Sequence, residues 1–217
     1  MNCLVTAGPT YELLDNVRRL TNHSTGRLGT ELANFLTAHG HTVALLLGEL
    51  ATWSGENKAA STARFTTTAD LQTKLKHAAP SEPDAVFHVA AVSDFGFGKI
   101  WLRSPDGELT EASSKKFSTR QGSLLAELVP TPKLISELRS LFPNAKLVGW
   151  KFEVSGDHAS VIQKGEDQLT DCDTDACVAN GPAYGSGFGL VTGVGHCTHL
   201  KDMHALFVAL EKFITKV

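Results

Sequence analysis

NCLVTAGPTYELLDNVRRLTNHSTGRLG, residues 2–29, is the stretch whose reading decides the fold. Its apolar start predicts a buried strand over 2–6. Ala7-Gly8-Pro9-Thr10 breaks that strand with turn-forming residues. Asn22-His23-Ser24-Thr25-Gly26-Arg27-Leu28-Gly29 then leads into a helix predicted over 26–39, because Leu28, Leu32, Phe35 and Leu36 recur at helical spacing and Gly40 ends it. A strand, a glycine-bearing polar loop and a helix start can form an anion site, since unpaired N–H groups and the positive end of the helix attract phosphate. The loop carries neither G-x-G-x-x-G nor G-x-x-x-x-G-K-[ST]. Spacing therefore leaves an anion site and a plain strand–helix connection both open. The Asn22 carboxamide can donate and accept, but its spacing also suits a helix cap or turn.

Outward from this stretch, strands and helices alternate. Strands are predicted over 42–47, 64–67, 84–91, 124–129, 146–152 and 176–180. Helices are predicted over 69–79, stopped by Pro80; from Pro132 to near Leu141; from the N-cap Asp157 to near Leu169; and from Asp202 to Thr215. Residues 188–192 and 195–199 read as a β-hairpin. Residues 96–122 are rich in Gly, Ser, Lys and Thr and read as a hairpin or a flexible arm. The pattern predicts one α/β domain over 1–217, a Rossmann-like parallel sheet with helices on both faces, an inserted arm and a C-terminal hairpin. Ligands of such sheets sit beyond the carboxyl ends of the strands, so the loops at 7–29, 90–98 and 150–155 are the candidates.

The composition sets limits. With 217 residues the chain is long enough for one good core. A net charge of −3 argues against a general nucleic-acid binder. Four scattered cysteines make no disulfide framework and point to a reduced, cytoplasmic setting. The N-terminus shows no basic-then-apolar signal pattern, and no apolar run approaches the ~18 residues of a membrane span. His196-Cys197-Thr198-His199 puts two imidazoles on one face of a strand with the thiol opposite, a poor zinc set.

The motifs resemble those of phosphopantothenoylcysteine synthetase, also called phosphopantothenate–cysteine ligase, an enzyme of coenzyme A biosynthesis. The resemblance is carried by Thr6-Ala7-Gly8-Pro9-Thr10, Glu12, Leu14-Asp15, Val17-Arg18 and the long Asn22–Gly29 block. It continues through Ala90-Ala91-Val92-Ser93-Asp94-Phe95, Lys116-Phe117-Ser118-Thr119, Val129-Pro130-Thr131-Pro132, Gly149-Trp150-Lys151-Phe152-Glu153 and Val178-Ala179-Asn180. It implies the synthetase domain without the flavoprotein decarboxylase half. It implies that 4′-phosphopantothenate is activated by a nucleoside triphosphate as an acyl-nucleotide, which L-cysteine converts to the amide. Mg²⁺ or Mn²⁺ is the implied metal, a homodimer the implied assembly, and neither nucleic acid nor membrane an implied partner.

Carried over residue by residue, the resemblance assigns Asn22 to the acyl-nucleotide, and it assigns Lys116 on the arm to the triphosphate, with Lys115 and Lys99 as alternatives. Arg18 and Arg27 suit phosphate contact. Gly8, Thr10, Ser24, Gly26, Ala90, Ala91, Asp94, Trp150 and Lys151 would line the nucleotide, and Asp94 would hold the metal. The chain departs from the family at Tyr11-Glu12-Leu13 and at Gly181, where a carboxylate is usual. Its Trp150-Lys151-Phe152-Glu153 is closer to the eukaryotic form, which leaves CTP and ATP both open. Two other readings remain: a non-catalytic nucleotide-binding relative, and a Rossmann-type NAD(P) oxidoreductase. The latter lacks both the glycine fingerprint and a Tyr-x-x-x-Lys pair.

Overall fold

The computed structural model describes residues 1–112, 117–118 and 122–216. In chain order the elements are β1 (Asn2–Ala7), β2 (Tyr11–Leu13), β3 (Arg19–Thr21), α1 (Arg27–Ala38), β4 (Thr42–Gly48), β5 (Ser61–Phe65), α2 (Thr68–Ala78), β6 (Ala85–His88), β7 (Phe95–Arg103), β8 (Leu109–Glu111), β9 (Ser123–Pro130), α3 (Leu138–Leu141), β10 (Lys146–Phe152), α4 (His158–Cys172), β11 (Ala176–Asn180), β12 (Phe188–Gly193), β13 (His196–Leu200) and α5 (Met203–Thr215).

The main sheet runs β13-β12-β11-β10-β6-β1-β4-β5. Its six strands from β11 to β5 are parallel, and β12 and β13 return antiparallel as the expected hairpin. Counted along the chain, the parallel strands lie 3-2-1-4-5-6 across the sheet. This is the doubly wound order, with its switch point between β1 and β6. Strand alternation sorts the core into two faces. Val5, Val148 and Val178 pack with Leu32 and Leu36 of α1 and Leu206 and Leu210 of α5. Leu4, Val86 and Leu147 pack on the other face with Leu71 and Leu75 of α2 and Leu138 of α3. On that second face Val161 of α4 packs with Cys177, Ala179 and Val191. Each fully buried leucine contributes about 2 kcal/mol of burial. The caps follow from residue type: Asp157 and Ser160 form a capping box at α4, and Asp202 accepts from Ala205 N at 2.8 Å at α5.

Four local expectations change. Residues 123–130 form a strand, but it lies outside the main sheet, in a three-stranded antiparallel sheet ordered β8-β7-β9. Within the segment at 96–122 the described residues include β7 and β8 of that sheet, which turn at Gly107 with φ 94 as one of the two expected forms, a hairpin. The helix expected over 132–141 is a 3₁₀ turn at Leu134–Glu137 followed by the single turn of α3. Its start at Lys133 has no side-chain cap, and Pro143 follows closely. The strand expected at 64–67 lies at Ser61–Phe65, because Thr67 instead caps α2 by accepting from Asp70 N at 3.2 Å. Finally, β2 and β3 form an antiparallel hairpin from Tyr11↔Thr21 to Leu13↔Arg19. Three residues per strand are too few to show a period in the sequence. Among the described residues no helix is long and apolar enough to cross a membrane.

Candidate active site

The carboxyl end of β1 and the loop after β6 are zipped together beyond the last strand residues. Val89 N donates to Thr6 O at 3.2 Å, Ala91 N to Gly8 O at 3.0 Å, and Thr10 N to Ala91 O at 3.2 Å. Side chains reinforce the seam. Ser93 N donates to Thr10 Oγ1 at 2.8 Å, and Ala90 N to Thr6 Oγ1 at 3.1 Å. Thr6 and Thr10 are fully buried. Thr6 Oγ1 also lies 3.1 Å from His88 Nδ1. Burial pushes that imidazole down to about 4, so it is neutral near pH 7. Thr10 is thus a structural member of the floor.

The start of α1 lies over this floor. Gly26 is its N-cap at φ 78 and has no side chain to cap it; Arg27 N donates to Thr25 Oγ1 at 3.3 Å, and no acidic residue occupies the first turn. The residue that follows is Arg27, a cation at the positive end of a helix, paired with Glu31 at 2.7 Å. The remaining first-turn donors, with no acid in that turn, leave this end electrostatically suited to an anion. The backbone packing is tight. A Cβ on Gly26 would lie 2.9 Å from Ala51 Cβ and 3.4 Å from Gly8 Cα. Gly8 also has positive φ, 81, so both glycines answer to close backbone approach. Ser24 is half-buried just ahead of this turn.

Asn22 follows β3 and bridges to the other side of the floor. Its Nδ2 donates to Val92 O at 3.0 Å, which fixes the carboxamide plane at an exposed position. One N–H and the amide oxygen remain for a ligand. Two residues past Val92, the exposed Asp94 keeps its carboxylate out of any hydrogen bond or ion pair among the described residues, while its backbone oxygen accepts from Thr131 N at 3.0 Å. No group of three or more His, Cys, Asp or Glu among the described residues could hold a metal alone. A single free carboxylate fits Mg²⁺, which commonly keeps water and phosphate oxygens as its other ligands.

The ladder between β6 and β10 runs from Ala85↔Lys146 to Phe87↔Val148 and stops there. Among the described residues, 149–152 pair in the sheet only with β11, leaving their other backbone edge without a strand partner. Trp150 and Lys151 fall on opposite faces of this strand. Trp150 packs toward the α1 side, with Nε1 buried and unpartnered. Lys151 is half-buried and makes no ion pair among the described residues. At Gly181, φ is 110 and a Cβ would lie 2.5 Å from Glu153 O, so the missing carboxylate reflects a local backbone that excludes a side chain.

Arg18 is engaged within the fold. Its Nη1 donates to Asp15 Oδ2 at 2.8 Å and its Nη2 to Phe117 O at 3.0 Å. Lys99 Nζ pairs with Glu111 at 3.0 Å, on the three-stranded sheet. Lys115 and Lys116 lie outside the described residues. Sequence reasoning missed Asp15, whose buried carboxylate is gripped by several donors. The i, i+3 spacing of Asp15 and Arg18 was the available signal. No thiol suits catalysis: all four cysteines are unpaired, and burial pushes Cys177 up to about 12. His196 and His199 each make a separate hydrogen bond, to Val194 O and the Tyr184 hydroxyl, rather than sharing a metal.

Comparison with known proteins adds the following. The family profile described as the DNA/pantothenate metabolism flavoprotein C-terminal domain matches residues 1–204. The coenzyme A biosynthesis bifunctional protein CoaBC of Thermococcus kodakarensis is 31% identical over 185 residues, 84% of this chain and 42% of that protein. The chain thus spans under half the length of that curated relative. Among solved structures, the DNA/pantothenate metabolism flavoprotein of Streptococcus pneumoniae superposes with a TM-score of 0.83 at 23% identity, covering 99% of this chain and 98% of that one. A Cab2 mutant in complex with phosphopantothenate-cysteine superposes with a TM-score of 0.73 at 20% identity, covering 98% of this chain and 87% of that one.

Proposed function

Because the chain belongs to the family of the DNA/pantothenate metabolism flavoprotein C-terminal domain, we propose that it joins 4′-phosphopantothenate to L-cysteine, driven by a nucleoside triphosphate. The observation that carries the reading is the family match over residues 1–204, which takes in the whole opening stretch and both crevice loops. Two relatives support it by what they are: one a coenzyme A biosynthesis protein, the other captured with phosphopantothenate-cysteine.

In this reading the substrate carboxylate attacks the α-phosphorus, forming an acyl-nucleotide and releasing pyrophosphate. The cysteine amine then attacks the acyl carbon, loses a proton, and expels the nucleoside monophosphate. The start of α1, with Gly8 and Ser24 beside it, binds phosphate. Asn22 holds the acyl group: Val92 O orients it, its remaining N–H donates to the acyl oxygen, and its amide oxygen receives the incoming amine. Lys116 on the arm neutralises charge at the α-phosphate. The open edge of 149–152, past the end of the β6 ladder, together with Ala90 and Ala91, takes the base of CTP or ATP. Asp94 is the residue that would hold Mg²⁺ (or Mn²⁺), which when bound shields phosphate charge.

A homodimer belongs to the same proposal. No described residue of β7, β8 or β9 is fully buried, and Phe95, Leu128 and Val129 stand exposed, as do Leu13, Val17 and Leu20 of the β2–β3 segment. An apolar surface of this kind fits a second copy. Sedimentation equilibrium tests it, and a monomer at micromolar concentration removes the dimer from the account.

The half-reaction tests the enzyme reading. Pyrophosphate should appear when 4′-phosphopantothenate, Mg²⁺ and either CTP or ATP are combined with the protein before cysteine is added. Binding of a triphosphate with no pyrophosphate from any combination would favour the non-catalytic relative.

A further inference from the structure

The turn between β2 and β3 does more than reverse the chain. Asp15 Oδ1 accepts from Val17 N at 2.9 Å and from Arg18 N at 2.8 Å, an ordinary way to brace a turn. Its second oxygen reaches elsewhere. Asp15 Oδ2 accepts from Arg18 Nη1 at 2.8 Å and from Phe117 N at 3.2 Å, 102 positions along the chain. Arg18 Nη2 closes the ring by donating to Phe117 O at 3.0 Å. Both backbone polar groups of Phe117 are therefore held by one ion pair. The Asp15 side chain is fully buried and the Phe117 residue only 5% exposed. Burial alone would raise the Asp15 pKa, but the N–H groups of Val17, Phe117 and Arg18 and the Arg18 charge outweigh it and hold the carboxyl below its usual range.

The far end of the same hairpin carries Asn22. From Arg18 to Asn22 the chain passes through the three residues of β3 and advances four positions, about 13 Å at the ~3.3 Å per residue of extended chain. That end is pinned as well: Thr21 Oγ1 donates to Thr10 O at 2.7 Å, and Asn22 to Val92 O. One hairpin, hydrogen-bonded at both ends, thus connects the Asn22 position to Phe117.

We infer that Asp15 is a positioning residue, which with Arg18 clasps the Phe117 backbone and uses the β2–β3 hairpin as a spacer that sets the arm at a fixed distance from Asn22. The inference rests on the ligase reading for its catalytic consequence, and on geometry alone for the clasp. Arg18 then acts through the arm rather than by touching the substrate phosphate.

Asp15→Asn is the discriminating variant. Asparagine braces the turn equally well through Oδ1. Its amide nitrogen, however, replaces the Oδ2 acceptor and sets a donor against the donors of Phe117 and Arg18. Hydrogen exchange by mass spectrometry, resolved to a peptide containing Phe117, reads the clasp without any activity. Exchange there should rise about tenfold or more, a charge-assisted hydrogen bond having been lost, while peptides from β1 and α5 keep wild-type protection. Pyrophosphate formation should fall at least tenfold in kcat/KM, and Arg18→Lys, which keeps the charge but not the fork, should fall in between. Unchanged exchange at Phe117 in Asp15→Asn overturns the clasp. Lost protection with wild-type kcat and KM overturns the positioning role. A wild-type protein that makes no pyrophosphate refutes the ligase reading, and the exchange result then still decides the clasp.

Discussion

Replacing Gly29 by alanine sets two effects of opposite sign against each other. Gly29 is the third residue of α1, and within a helix alanine is favoured over glycine by about 0.5–1 kcal/mol. Propensity alone therefore makes Gly29→Ala stabilising. The packing says otherwise. The new Cβ would lie 2.6 Å from Ala7 Cβ, 3.1 Å from Thr6 O and 3.2 Å from Ala7 Cα. Carbon atoms rest at ~3.5–4.0 Å, so the overlap is about 1 Å. The neighbours are the last two residues of a buried strand, Thr6 paired on both sides and Ala7 paired with β4, and their backbone and short side chains cannot swing away. Overpacking of this kind costs about 1–3 kcal/mol. The balance is a loss of about 1 kcal/mol, or a fall in Tm of ~2–4 °C for a chain of this size. Relief requires α1 to lift from β1, which carries the helix start away from Gly8. Displacement near 1 Å at a reacting phosphate commonly costs ~100-fold in rate. Thermal unfolding by circular dichroism and pyrophosphate release read the two consequences. A Tm that rises by ~2 °C, with turnover intact, would refute the claim that close contact between α1 and β1 requires glycine here.

Three further outcomes follow from particular residues. Asn22→Asp keeps size but removes both N–H groups, the one that donates to Val92 O and the one left for the acyl oxygen, so the acyl-nucleotide should accumulate with amide formation slowed at least ~100-fold, detectable by mass spectrometry; wild-type turnover would remove Asn22 from the second step. Lys116→Gln should slow pyrophosphate release by about tenfold or more, whereas Lys99→Gln, whose ammonium is held by Glu111, should not; the reverse pattern would move the arm role to Lys99. His88 has its pKa lowered in the fold to about 4 against 6.5 for a free imidazole. The unfolded chain therefore binds a proton that the folded one refuses, and stability is full above ~6.5 and is lost as pH falls toward ~4, by about 1.4 kcal/mol per pH unit. His88→Gln should flatten the acid side of the Tm profile between pH 6.5 and 5; an unaltered slope would mean that other groups set it.

How much of this was legible in the sequence varied with the kind of signal. The parallel core was legible because Leu45-Leu46-Leu47, Val86-Phe87 and Leu147-Val148 are continuous apolar runs, as strands buried on both faces must be. Asp157 and Asp202 announced their helices by side-chain chemistry that acts locally. The strand at 123–130 was seen but assigned to the wrong sheet, since local pattern does not encode the partner; only the antiparallel register with β7 places it. At the site, Gly8, Gly26 and Asn22 came from the motif, and geometry then gave them physical reasons. The clasp was not legible. Asp15 and Arg18 entered only as motif residues, and their third member stands at Phe117, a separation across which no spacing rule reaches.

The central claim is a triphosphate-driven ligation. The most direct test combines 4′-phosphopantothenate, L-cysteine and Mg²⁺ with CTP or ATP and follows product and pyrophosphate together. The account predicts one pyrophosphate and one nucleoside monophosphate for each amide formed, with one of the two triphosphates clearly preferred. Amide formation without a triphosphate, or release of inorganic phosphate and nucleoside diphosphate instead, would contradict it.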